Sequence, residues 1–238
     1  MELWVFDRSG AYSSGLFNIH TEPEKLARAL VGYTTMSDNL MDLDTFIERK
    51  DGHRYITLYD VNGKETSLRL GKMMVRQQAI ARRGTTCYKI QNNYVAKFSW
   101  ASDKRKLEME QLRLAEGRGV KGVARVVAHR RITTIADIRK GLQFGTIHRF
   151  RKTELNDKQL GEGTRLSLYT SCGDLWEKRI YMCLVVSPAG RVISEFMTIK
   201  ELLESERDAI KAHQSLHTEG QILHRDISPN NIIKGFQN

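Results

Sequence analysis

Asp226 and Asn231 are the two residues whose types and spacing speak most directly of chemistry. They lie in the run Ile222-Leu223-His224-Arg225-Asp226-Ile227-Ser228-Pro229-Asn230-Asn231-Ile232-Ile233. A loop carboxylate can accept the proton of an attacking hydroxyl or orient it, and a neutral amide oxygen a few residues on can reach a Mg²⁺ carried by nucleotide phosphates. The pair therefore suits phosphoryl transfer. A plain turn is the bland alternative, because Asp, Ser, Pro and Asn favour turns for local reasons. The apolar pairs Ile222-Leu223 and Ile232-Ile233 read as short strands bracketing the loop, and an amphipathic segment precedes it, which argues for a loop held in place.

A second charged candidate lies far upstream. Between Val75 and Trp100 the pattern reads strand, turn, strand, turn, strand: Gln78 to Ala81, then Arg83-Gly84-Thr85-Thr86, Cys87 to Ile90, Gln91 to Asn93, and Tyr94 to Trp100. Lys97 sits inside the last of these strands, where an ammonium is costly unless it faces solvent or is partnered. A helix predicted over Asp103 to Gly117, capped by Ser102 or Asp103, offers the partner. Glu108, Leu112 and Ala115 share its apolar face, whereas Glu110 lies about 160 to 200° around from Glu108. A Lys97–Glu108 ion pair is expected, with Glu110 as the second choice. Val120 to Ala128 is expected to return as a strand.

The continuous apolar run Tyr181 to Val186 reads as a strand buried on both faces. Ser187-Pro188-Ala189-Gly190 breaks it, and such a junction can offer backbone donors and acceptors to the edge of a base, as any strand end can. Thr198 to Glu219 carries an apolar stripe stopped by Gly220, so a long helix leads into the Asp226 loop. His213 and His217 have the spacing of a zinc pair, but the sequence shows neither the glutamate after the first nor a third ligand, and packing roles fit them better. Upstream, Thr21-Glu22-Pro23-Glu24 opens a helix running to about Tyr33, and Tyr55 to Tyr59 and Thr66 to Leu70 form strands around Asp60-Val61-Asn62-Gly63.

The 238 residues, 40% hydrophobic, suffice for one large domain or two small ones. The longest apolar run is far too short to cross a bilayer, and Glu2, Asp7 and Arg8 stand where a signal peptide would be apolar. Cys87, Cys172 and Cys183 are odd in number and form no CxxC pair, which fits a reducing compartment, so an intracellular, cytoplasmic or nuclear location is expected. Net charge is +10, from 38 Lys and Arg against 28 Asp and Glu. The basic residues are scattered in twos and threes, which argues against a dedicated nucleic-acid surface.

Six segments, in order, carry a resemblance: Leu3 to Gly10, Arg83 to Tyr88, Lys97 to Trp100, Gly122 to Arg125, Leu184 to Arg191, and His224 to Asn231. Together they resemble the fungal-type protein kinase family, from about Leu3 to Ile233, and His224, Arg225, Asp226 and Asn231 match the kinase catalytic-loop signature. The resemblance implies an α+β, protein kinase-like fold. It would comprise an N-terminal extension with a helix and hairpin (1–75), a small antiparallel-sheet N-lobe with one helix and a long excursion at 129–180 (76–186), and a hinge, long helix and catalytic loop beginning a helical C-lobe (187–238).

It also implies roles. Lys97 would hold the α and β phosphates of ATP, Glu108 would orient Lys97, and Gly84, Thr85 and Thr86 would cover the phosphates. Backbone from Ser187 to Ala189 would meet adenine. Asp226 would orient or deprotonate the acceptor hydroxyl, Asn231 would ligate Mg²⁺, and Arg225 would brace the activation segment. The implied reaction is transfer of the γ-phosphate to a protein Ser or Thr. The sequence departs from kinase patterns in three ways. G-x-G-x-x-G is reduced to Gly84, Ser228 replaces the usual lysine, and no counterpart of the D-F-G aspartate precedes Asn238. The last departure implies a chain weak or inactive by itself, so a non-catalytic pseudokinase acting by binding is the main alternative. A small-molecule phosphotransferase is another, against which Arg225, where a Gly would stand, argues.

Overall fold

The computed structural model describes residues 1–8, 10–36, 45–77, 83–91, 93–138 and 178–235, a mixed α/β chain of antiparallel sheets and few helices. A short hairpin, β1 (Trp4–Asp7) and β2 (Gly10–Ser13), comes first. Helix α1 (Pro23–Thr35) follows, started by proline at its first turn as the sequence predicts. Strands β3 (Glu48–Lys50), β4 (His53–Asp60), β5 (Glu65–Arg76), β6 (Thr86–Ile90) and β7 (Tyr94–Ser102) lead to helix α2 (Glu108–Gly117). Strand β8 (Arg125–Thr134), the short helix α3 (Ile135–Ile138) and β9 (Arg179–Ser187) complete this part. Beyond them lie β10 (Gly190–Val192), helix α4 (Ile199–Thr218) and β11 (Ile233–Gly235).

The main sheet runs β3-β4-β5-β6-β7-β9-β8, and β4 also pairs with β8 through Tyr59↔His129 and Asp60↔Ala128. Strands β4 to β9 therefore close into a six-stranded barrel, with β3 appended to β4. Period-two alternation fills it: Ile56 and Leu58 of β4, Tyr88 of β6, Phe98 of β7, and Cys183 and Val185 of β9 all point into one core. Phe98 meets Tyr88 edge to face, with ring centroids 5.8 Å apart. Met182 and Leu184, facing the other way, are buried too, so β9 is covered on both sides, as its unbroken apolar run predicts.

This architecture corrects several expectations. The antiparallel sheet expected of a small N-lobe is here a closed barrel that includes β4 and β5, and residue 75 lies within β5. Helix α2 begins five residues later than its predicted cap, because Ser102 is still paired with Arg179 at the end of β7. Strand β8 starts at Arg125, later than the predicted Val120, and continues past Ala128 to Thr134, held by pairing with β9 out to Thr134↔Ile180. The short helix α3 follows β8 directly; the strand expected over Gln78 to Ala81 and residues 139–177 lie outside the described residues. Ile222-Leu223 forms no strand.

A second cluster joins α2 to α4: Ala115, Val120 and Leu216 are buried together, with Val123 and Ile222 against them. Its backbone fits closely. Gly122 lies at φ +76°, where a Cβ would be 2.7 Å from Ala212 Cβ, and Lys121 N donates to Ser215 Oγ at 3.0 Å. Arg118 Nη1 donates to the Gly220 carbonyl. The C-terminal end of α4, which leads into the Asp226 loop, is thus fixed against the end of α2. Among the described residues no helix is long and apolar enough to cross a membrane.

Candidate functional site

Strand β7 presents Ala96, Phe98 and Trp100 to the barrel interior, which turns Lys97 to the outer face. On that face its register neighbours are Cys87 of β6 and Leu184 of β9. Helix α2 brings Glu108, its first residue, over the lysine, and Lys97 Nζ donates to both carboxylate oxygens at 2.9 and 2.7 Å. Glu108 gains from its position in the first turn, where unpaired amides favour a negative charge. Glu110 is used differently: its Oε2 accepts from the Leu107 amide at 3.3 Å, closing the start of the helix. The ion pair is partly exposed, at 28% and 47% of the two side chains, so it adds less than about 1 kcal/mol to stability. What it fixes is the position of an ammonium. Burial pushes the neighbouring Cys87 thiol above its ordinary pKa, with Lys97 opposing and Glu108 reinforcing the shift.

The Asp226 loop is anchored at both ends. Upstream, Ile222 N donates to the Leu216 carbonyl at 2.9 Å; downstream, β11 pairs antiparallel with β10 through Arg191↔Lys234 and Val192↔Ile233. Gly190 permits that pairing, because a Cβ there would collide with the Lys234 carbonyl and Ile233 Cγ2. Within the loop, Arg225 adopts φ +61°, a left-handed conformation costing roughly 1–2 kcal/mol for a residue with a side chain. Strain of this kind is characteristic of functional loops. Pro229–Asn231 forms one 3-10 turn, and Asn231 Nδ2 donates to the Asp226 backbone carbonyl at 2.9 Å. That bond uses the amide nitrogen, so Oδ1 is the atom of this amide that could act as an acceptor or ligand. The Asp226 side chain is exposed.

The remaining expected residues sit on backbone junctions. Thr86 opens β6 opposite Phe98, Thr85 N donates to Gln77 Oε1 at 3.3 Å, and Gly84 has φ +53°. Ser187 ends β9 opposite Arg125, and Ala189 is buried. The Ala189 amide donates to the Asn93 carbonyl at 2.6 Å. In this conformation, then, the amide expected to meet adenine is engaged within the protein. The partner is a turn residue with φ +62°, and only the fold brings it there.

Two groups are therefore assembled, Lys97 with Glu108 and Asp226 with Asn231. Among the described residues no hydrogen bond or ion pair joins one group to the other. They are related through the Ala115–Leu216 cluster on one side and the β9-to-β10 junction on the other. No group of three or more His, Cys, Asp or Glu able to hold a metal occurs among the described residues. Gly122 and Gly190, which fix the loop's surroundings, fall within two of the segments that carry the resemblance, but neither was given a role of its own.

Residues 1–235 match the family model described as fungal protein kinase. The chain belongs to the fungal protein kinase family. No curated protein and no solved structure matches it. Family membership extends through both assembled groups and through the N-terminal hairpin, so a fungal protein kinase here has a closed barrel supporting the lysine strand.

Proposed function

We propose that this chain carries the nucleotide site of an ATP- and Mg²⁺-dependent protein kinase of the Ser/Thr type. The observation that carries the reading is the two-oxygen contact of Glu108 with Lys97, made between a strand and a helix within a family whose description is kinase. Lys97, held at a fixed height above the sheet, would bind phosphate oxygens. The Thr85–Thr86 backbone would cover them, and carbonyls of the Ser187–Ala189 segment would accept from adenine. Asp226 would orient the acceptor hydroxyl and take its proton, with Arg225 shaping the loop.

Asn231 would offer a magnesium ion one neutral hard oxygen, beside the phosphates and water that would make up most of its shell. When bound, it would neutralise phosphate charge. The substrate this reading implies is a protein hydroxyl. Removing a single charge-stabilising group from such a site commonly costs on the order of 10²-fold or more in rate.

The test is calorimetric titration of ATP with and without Mg²⁺ into the unsubstituted chain and into Lys97→Ala and Asn231→Ala. The reading expects metal-enhanced ATP binding that Lys97→Ala abolishes in either condition and Asn231→Ala makes metal-independent. ATP binding indifferent to all three changes would overturn it. The engaged Ala189 amide favours one second reading, a pseudokinase acting by binding, for which the same titration shows no heat with ATP.

A further inference from the structure

The N-terminal hairpin closes at the Asp7↔Gly10 pair, and the reading above gives Arg8, at that closed end, no task. Its register, from Trp4↔Ser13 to Asp7↔Gly10, places Arg8 at the tip. The tip reaches the turn expected to cover phosphates. A Cβ built on Gly84 would lie 2.5 Å from Arg8 Cζ, 2.6 Å from Nη1 and 2.9 Å from Nη2, so the guanidinium packs against the bare α-carbon of that glycine. Gly84 is thus required twice, by its φ of +53° and by the side chain lying on it.

The turn beneath is anchored. The Arg83 carbonyl accepts from Trp100 N at 2.8 Å, and the Thr85 carbonyl accepts from Gln77 N at 2.9 Å. Two residues after Thr85 stands Cys87, whose register partner is Lys97. The Arg8 tip is therefore docked on the strand pair that carries the lysine.

We propose that Arg8 is a phosphate-binding residue of this nucleotide site, delivered by the hairpin to the Gly84 turn; the proposal rests on the kinase reading above. A guanidinium offers five N–H donors in a planar fork, so it can keep a contact within the protein and still receive a phosphate. Such a group suits this chain. With G-x-G-x-x-G reduced to Gly84, the turn has fewer glycines to bring backbone amides close to phosphate, and an arginine laid on the remaining one supplies donors and positive charge. Arg8 and Lys97 would then grip the triphosphate from two strands distant in sequence.

The experiment titrates ATP, ADP and adenosine into the unsubstituted chain, Arg8→Gln, Arg8→Lys and Gly84→Ala, with urea unfolding of each. A charge-assisted hydrogen bond to phosphate is worth about 10- to 100-fold in affinity. Arg8→Gln should lose that much for ATP, leave adenosine binding and unfolding midpoint unchanged, and flatten the salt dependence of ATP affinity. Arg8→Lys should recover part of the loss. Gly84→Ala, whose methyl displaces the guanidinium, should show the same phosphate-selective loss. ATP binding by Arg8→Gln equal to that of the unsubstituted chain overturns the proposal, and so does equal loss of adenosine and ATP, which marks Arg8 as a structural brace. If the unsubstituted chain binds none of the three ligands, the kinase reading itself fails, and this inference with it.

Discussion

Substituting Gly122 with alanine should loosen α4 from the end of α2, and the structure sets the size of the effect. Two costs add. At φ +76° a residue with a Cβ pays roughly 1–2 kcal/mol for the left-handed conformation. The new methyl would also stand 2.7 Å from Ala212 Cβ and 3.3 Å from its Cα, an overpacking worth roughly 1–3 kcal/mol. Gly122→Ala should therefore destabilise the chain by about 2–5 kcal/mol. Ala212→Gly alone should cost about 1 kcal/mol, as glycine does inside a helix. Combined, the two changes should cost less than their sum, because removing the Ala212 methyl relieves the collision while leaving the backbone strain. Urea titrations of the four proteins, read as midpoint and slope, measure the coupling. If the single costs simply add, the Gly122–Ala212 approach does not exist in solution, and the anchor for the Asp226 loop must be sought elsewhere.

Gly190→Ala should unzip β10 from β11, since its methyl meets the Lys234 carbonyl; amide exchange at residues 233–235 should accelerate, and unchanged protection would contradict the pairing. Phe98→Ala, which empties the barrel centre, should cost about 3–5 kcal/mol, whereas Glu108→Gln on the outer face should cost less than about 1 kcal/mol; comparable unfolding midpoints for the two variants would refute this division of labour. Acid should act on α4 through Glu201. Its pKa is lowered by the Met197 amide that donates to it and by the Arg191 guanidinium beside it. A depressed carboxylate contributes stability that is complete above its unfolded value near 4.5 and lost as pH falls through the lower folded value. Glu201→Gln should therefore flatten the decline of thermal midpoint with pH below that value, and parallel curves for both proteins would exclude the linkage.

Much of the site was legible because its signals are local. Lys97 in an apolar strand needed a partner, and 3.6-residue periodicity placed Glu108, not Glu110, on the face able to provide one. Asp226 and Asn231 share one loop, so their mutual geometry depends on a few torsions, and the apolar stripe over Thr198 to Glu219 with Gly220 as its stop marked the extent of α4. Other features depend on residues far apart in the chain. Closure of the barrel requires Tyr59 to find His129, and the start of α2 is delayed because Ser102 pairs with Arg179. The engagement of the Ala189 amide depends on the Asn93 carbonyl, and the role of Gly84 on an arginine delivered from the N-terminal hairpin.

Periodicity, caps and motif spacing determined which residues could do chemistry and which elements would hold them, since those are properties of a few consecutive residues. Which strand closes on which, which backbone groups are already spent, and where a methyl has no room were decided only when distant segments packed. Those outcomes depend on mutual exclusion and hydrogen-bond competition in three dimensions, which residue order alone does not encode in any short window.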